Sequence, residues 1–102
     1  MLPSIHRLPK QEIPGVLRYG ARVTDENIVL RYKKTKQTPR FAFVVSTKVD
    51  KRATARNRMR RVLSESVRLV IDGIAPCDGV FTVKKPFQES GAVALLQQAR
   101  LV

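Results

Sequence analysis

A chain of 102 residues and 11.5 kDa makes one domain, residues 1–102, because a chain this short rarely divides and buries roughly 60–70% of the surface it exposes when unfolded. Hydrophobic residues make up 43% of it, enough for a single core, and the longest apolar stretches, such as Phe41 to Val45, fall far below the roughly 18 residues needed to span a bilayer. Twenty Lys and Arg against eight Asp and Glu give a net charge of +12, a self-repulsion that folding does not require and that a polyanion would relieve.

Residues 1–12, with two prolines among mixed polar residues, read as an extended arm. Pro14 to Gly20 offers a short helix, with proline tolerated in its first turn and Gly20 as its stop. Ala21-Arg22-Val23 is a candidate early strand. Asn27 to Lys33 alternates, Ile28, Leu30 and Tyr32 on one face and Val29, Arg31 and Lys33 on the other, which predicts a half-buried strand. After the turn-prone Lys33–Pro39 connector, Arg40 to Thr47 predicts a central strand that pairs with the preceding one as a hairpin.

From about Thr54 the period changes to 3.6. Ala55, Met59, Val62, Leu63, Val67 and Val70 share one arc with Ser66, while Asn57, Arg58, Arg60, Arg61, Ser64, Glu65 and Arg68 fill the other. This predicts an amphipathic helix ended by Asp72-Gly73, then a Pro76-Cys77-Asp78-Gly79 turn, a Val80–Val83 strand, Lys84-Lys85-Pro86 and a closing helix over Gln88 to Leu101. The order describes an α+β domain, a sandwich of one sheet with helices packed on it, in which the strand–helix–strand crossover over residues 41–83 is right-handed by default.

Half of the excess charge sits in one place. Lys48, Lys51, Arg52, Arg56, Arg58, Arg60 and Arg61 crowd into fourteen residues against the single Asp50. Because the same helix needs its apolar arc for the core, the arginines are expected to point outward as a fixed comb of planar donors suited to phosphate oxygens. The alternative is a solvated face that serves only solubility. Such a face interleaves Glu with Arg at i,i+4 spacing, whereas here only Arg61 and Glu65 do so, and Arg52, Arg56 and Arg60 stack on one another unpaired. Asn57 adds an amide able to donate and accept at a base edge or a ribose hydroxyl. Nucleic acid is therefore the leading partner. An anionic membrane would ask for a helix with bulky apolar residues that the core does not need.

The side chains suggest no protein-borne catalysis. Asp25, Glu26, Asp50, Asp72 and Asp78 are scattered through predicted loops and turns, His6 is the sole histidine, and Cys77, between Pro76 and Asp78, has no evident base and is read as a turn residue. One cysteine supports neither an internal disulfide nor a cysteine-based zinc site, and Met1 to His6 shows no apolar export segment, so a cytoplasmic location is expected.

The run Lys51 to Leu63, with Arg56-Asn57-Arg58-Met59-Arg60-Arg61 at its centre, resembles the Arg-Asn-Arg signature of the bacterial ribonuclease P protein component. Arg7-Leu8, Gly20, the Phe41–Lys48 strand running into the signature, and Lys84-Lys85-Pro86 fall in that family's order, so the resemblance covers roughly residues 5–87. It implies a ribosomal protein S5 domain 2-like sandwich, one mixed sheet with a left-handed βαβ crossover in place of the right-handed default. It also implies a role as protein subunit of ribonuclease P, whose RNA cleaves the 5′ leader from precursor tRNA with Mg²⁺. The protein would carry no catalytic groups, the Mg²⁺ being used by the RNA partner, and no metal-ligating residue is assigned to the chain. It would use Lys48, Lys51, Arg52, Arg56, Asn57, Arg58, Arg60 and Arg61 on the ribonuclease P RNA, and a groove of Ile13, Leu17, Val29, Arg31, Lys33 and Lys85 on the leader. Ile13, Leu17 and Arg31 stand where the family commonly has aromatics. A base stacked on an aromatic is worth about 1–3 kcal/mol, so leader binding would lean on backbone electrostatics through Arg31, Lys33 and Lys85. The alternative left open is a ribosomal or ribosome-associated RNA-binding protein.

Overall fold

The structure, a computed structural model, describes residues 2–87 and 90–102. Its elements are α1 (Ile13–Tyr19), β1 (Ala21–Thr24), β2 (Ile28–Lys34), β3 (Arg40–Val44), α2 (Ala53–Arg68), β4 (Cys77–Val83) and α3 (Ala92–Gln98). The sheet order is β1-β2-β4-β3, antiparallel except for the parallel pair β3–β4, which α2 joins as the expected crossover.

Two expectations fail here for one reason. The hairpin of β2 with β3 does not form, because β4 lies between them. The strand with most to bury takes the centre: Cys77, Gly79, Val80, Phe81 and Val83 are buried, so both faces of β4 are covered, whereas β3 is half-buried along most of its length and sits at the edge. Strands two places apart are separated by roughly 10 Å, which the 35–39 connector spans easily. Nor is Pro76–Gly79 a turn, since Cys77, Asp78 and Gly79 are already in β4. Gly79 is needed for close approach: a Cβ there would lie 2.7 Å from the Phe41 ring.

Register divides the side chains between two faces. Leu30, Phe41 and Phe81 lie on the face covered by α2 and α3, in a core that continues through Ile28, Leu63, Val67, Leu95 and Leu96. Phe81 is flanked by Phe41 and Phe43, its ring centroid 5.6 Å from that of Phe43 and nearly parallel to it. The opposite face is covered by α1 and Leu8 of the N-terminal arm, where Leu8, Val16 and Val80 form a small cluster with Ile13, Leu17, Ala42 and Val44 around it. Arg40 reaches from that face to two carboxylates, Asp78 at 2.9 Å and Glu12 at 3.1 Å, which tie the start of α1 to the sheet and push its pKa up.

The arm is docked rather than free. Leu2 and Leu8 are buried, the Leu8 amide donates to the Phe41 carbonyl at 2.9 Å, and Arg7 bridges to Phe41 in parallel, so the arm shields the outer edge of β3. α1 starts one residue before Pro14, which lies in its first turn. Gly20 ends it in extended backbone; a Cβ there would be 2.5 Å from the Val16 carbonyl oxygen, so contact rather than dihedral angle demands glycine. α2 stops at Arg68, before the expected Asp72-Gly73, and a single 3₁₀ turn covers Ile71–Gly73. α3 begins at Ala92; the expected helical Gln88 and Glu89 lie outside the described residues. Among the described residues no helix is long and apolar enough to cross a membrane.

Candidate nucleic-acid interface

The cationic segment is built on α2, and α2 is held by its underside. Met59, Leu63 and Val67, spaced by four, are buried against the sheet and α3. The helix is rolled slightly from the expected arc. Ser64, assigned outward, is buried, and Val62, assigned to the core, is only half-buried. Burial is tolerated because the Ser64 hydroxyl donates to the Arg61 carbonyl at 3.1 Å.

The comb of unpaired arginines is only partly present. Arg52 forms an ion pair with Asp50 at 3.1 Å, and Asp50 also accepts from the Arg52 amide, which together hold the Asp50 carboxyl below the usual carboxylate range. Arg56 turns back to donate to the carbonyls of Asp50 and Lys51, at 3.0 and 2.8 Å, clipping the loop to the first turn of α2. Arg60 donates to Asn57 Oδ1. Glu65, expected opposite Arg61, pairs with Arg68 instead. The exposed Lys48, Lys51, Arg58 and Arg61 side chains have no hydrogen-bond or ion-pair partner among the described residues. Two populations result: Arg52, Arg56 and Arg60 brace the segment, while Lys48, Lys51, Arg58 and Arg61 present open charge.

The six expected groove residues are not all brought together. Val29, Arg31 and Lys33 share the α1 face of β2, and Ile13 and Leu17 pack there at half burial, as core-edge residues. Arg31 donates to the Leu17 carbonyl at 2.7 Å, which fixes its guanidinium against the end of α1. Lys85 lies elsewhere. It follows Val83, which pairs with Ile28 at the opposite end of the ladder from Lys33, and the adjoining Pro86 and Phe87 border a cleft with Asp50, Arg52 and Arg58. The Lys85 backbone amide donates to the Asn27 carbonyl at 3.2 Å, at the end of the sheet away from Lys33. The reason is topological: β3 and β4 are parallel, so the chain leaving β4 arrives where the chain leaving β3 enters α2.

Two further basic residues, Arg22 and Arg7, join these surfaces. Arg22 pairs with Arg31 across β1 and β2 and adds its charge to the same face. Its alternation with Val23 was the available signal, usable only once the β1–β2 register is known. Arg7, treated as part of the arm, lines a cleft with Arg60 and Arg61. Nothing in the sequence of the arm predicts that contact. On the α1 face the strand residues 22, 24, 29, 31, 33, 40, 42, 44, 78, 80 and 82 include no aromatic ring. Cys77 faces the core, and burial pushes its thiol up to about 12.

Fold and surface together define a small basic α+β domain that carries a stiffly mounted cationic ridge. A family model described as Ribonuclease P matches residues 2–102. The ribonuclease P protein component of Synechococcus elongatus is 37% identical over 90 residues, covering 81% of this chain and 74% of that protein. That of an Exiguobacterium species is 39% identical over 83 residues, covering 79% and 72%. Solved RNase P proteins share the fold: that of Staphylococcus aureus superposes with a TM-score of 0.85 at 18% identity over 94% of this chain and 96% of the other, and that of Thermotoga maritima with 0.71 at 23% identity over 94% and 82%. The chain belongs to the ribonuclease P protein family. Its role is that of a protein subunit of this endoribonuclease, a ribonucleoprotein with an RNA partner, and nothing in these similarities favours the ribosomal alternative.

Proposed function

We propose that the chain binds the ribonuclease P RNA through Lys48, Lys51, Arg52, Arg56, Asn57, Arg58, Arg60 and Arg61 and holds the 5′ leader of precursor tRNA on the α1 face of the sheet, in the cytoplasm. Lys48, Lys51, Arg58 and Arg61 meet phosphates directly, while Arg52, Arg56 and Arg60 keep the ridge in shape and reach phosphates by exchanging their internal acceptors. The observation that carries this reading is a concentration of seven cations within fourteen residues, Lys48, Lys51 and Arg52 in the loop that enters α2 and Arg56, Arg58, Arg60 and Arg61 on the helix itself, which Met59, Leu63 and Val67 fix. Leader binding rests on Arg22, Arg31 and Lys33 beside the apolar Ile13, Leu17 and Val29; with no ring among the strand residues of that face, charge rather than stacking carries it.

Cleavage belongs to the RNA partner and its Mg²⁺. Asp50 is engaged by Arg52, and Asp78 and Glu12 by Arg40, which supports a protein that acts by binding rather than through these carboxylates. The protein contributes binding and positioning. Reconstitution tests this directly. Adding the chain to a bacterial ribonuclease P RNA and precursor tRNA at low Mg²⁺ should stimulate leader removal, and binding to the RNA should weaken with salt at a log–log slope of order −4 to −6. Absence of stimulation, or a nearly flat salt dependence, would refute the reading.

A further inference from the structure

A cleft of about 600 Å³ lies on the side of β3 away from the α1 face, between the N-terminal arm and α2. Leu2, Phe41 and Phe43 make an apolar wall, Asn57 and Ser64 contribute amide and hydroxyl, and Arg7 and Arg61 stand among its lining residues. Phe43 is only half-buried: one face of its ring stacks on Phe81, and the remaining surface borders the cleft. A polyanion ridge needs no such cavity, and a purely apolar ligand does not call for the arginines.

The polar groups have defined senses. Arg60 is only a donor, so the Asn57 atom that accepts from it is the oxygen, which leaves Nδ2 to donate outward. The Ser64 proton is committed to the Arg61 carbonyl, which leaves Oγ as an acceptor. The cleft thus combines an aromatic surface, one fixed donor, one fixed acceptor and guanidinium groups. A nucleobase between two phosphates has each complement: a π-face, an edge carrying both acceptors and donors, and flanking anionic charge.

Building on the RNA-binding role assigned above, we propose that this cleft receives one unstacked nucleobase of the ribonuclease P RNA, laid against Phe43 and read by Asn57 and Ser64, with Arg7 and Arg61 on the flanking phosphates. The source is the ribonuclease P RNA rather than the leader, because the cleft shares α2 with the ridge and lies on the other side of the sheet from the α1 face.

Two measurements test it. Phe43→Leu keeps apolar bulk but removes the π-face, so affinity of the full chain for ribonuclease P RNA, without precursor tRNA, should fall about 5- to 100-fold with the salt slope unchanged. A folded Phe43→Leu chain that binds within two-fold of the parent overturns the proposal, and so does a loss accompanied by a shallower slope, which would mark the effect as electrostatic. The second uses the unaltered chain, so folding of a variant is not at issue. Titration with guanosine 5′-monophosphate should move the NMR amide signals of Phe43, Asn57 and Ser64, whereas ribose 5-phosphate should leave Phe43 in place; equal responses to both overturn the base pocket. If the parent chain does not bind the RNA at all, the broader RNA-binding role fails instead, and the two failures are thereby distinguished.

Discussion

The two faces of the sheet have been given different work. The face under α2 and α3 carries Leu30, Phe41 and Phe81 at 0–2% exposure and supplies most of the core. The face under α1 buries little beyond Leu8, Val16, Val29 and Val80, and carries Arg22, Arg31 and Lys33 as well as the paired Arg40. Confining apolar burial to one side lets a small domain spend the other on charge, because burial on one face of a sheet does not constrain which residues point the opposite way. The same division recurs within α2, where Met59, Leu63 and Val67 supply stability and the opposite side supplies cations.

The contrast can be broken by substitution, most severely on the core face. Leu63→Ala should destabilise the domain by about 2–5 kcal/mol in denaturant unfolding, while Leu17→Ala on the half-covered face should cost under about 2 kcal/mol. Equal losses would mean that the two faces share the core. Cys77 offers an independent probe: its buried, undissociated thiol should resist a thiol reagent in the folded chain and become reactive as Leu63→Ala opens the core.

Next in size, Arg40→Met strands Asp78 and Glu12 on the α1 face. It should cost about 1–3 kcal/mol in thermal or denaturant melting and loosen α1, seen as faster amide exchange over residues 16–19. A variant as stable as the parent would show that the ion pairs do not anchor the helix.

Charge on α2 should behave oppositely. Arg58→Ala and Arg61→Ala remove guanidiniums with no partner among the described residues, so stability should stay within about 0.5 kcal/mol while each reduces the salt slope of RNA binding by about 1. Arg56→Ala should both weaken binding and release the loop it clips through the Asp50 and Lys51 carbonyls. Comparison of the three separates open charge from bracing charge.

The smallest effect is in pH. Arg52 holds Asp50 mainly by the side-chain hydrogen bond, so Asp50 binds its proton less readily folded than unfolded. The stabilisation is complete above the unfolded pKa and is lost as pH falls through the lower folded one. The pair is solvated, so global stability should barely respond. An NMR titration of Asp50 should nonetheless show a depressed midpoint that returns toward the ordinary value in Arg52→Ala; an unmoved midpoint would dissolve the pair.

Local periodicity carried much of this into the sequence. Alternation at Ile28, Leu30 and Tyr32 and the four-residue spacing of Met59, Leu63 and Val67 are properties of strands and helices themselves, so the element types and the cationic side of α2 were legible, as was the Arg-Asn-Arg run. Partner choice was not. Whether β2 pairs with β3 or β4 depends on which strand must cover both faces, a competition among distant residues that no local window contains. Asp78 and Gly79 look like turn residues until Arg40 and the Phe41 ring are placed against them. The division of the arginines into braces and open charges was equally hidden, because it rests on which carbonyl or carboxylate each long side chain can reach once the loop from Val45 to Arg52 is folded. Composition and pattern determined that this chain would mount a basic helix on an α+β core; the tertiary structure alone decided strand order, the separation of Lys85 from Lys33 along the sheet, and which cations stand free, since those follow from distances between segments far apart in the chain.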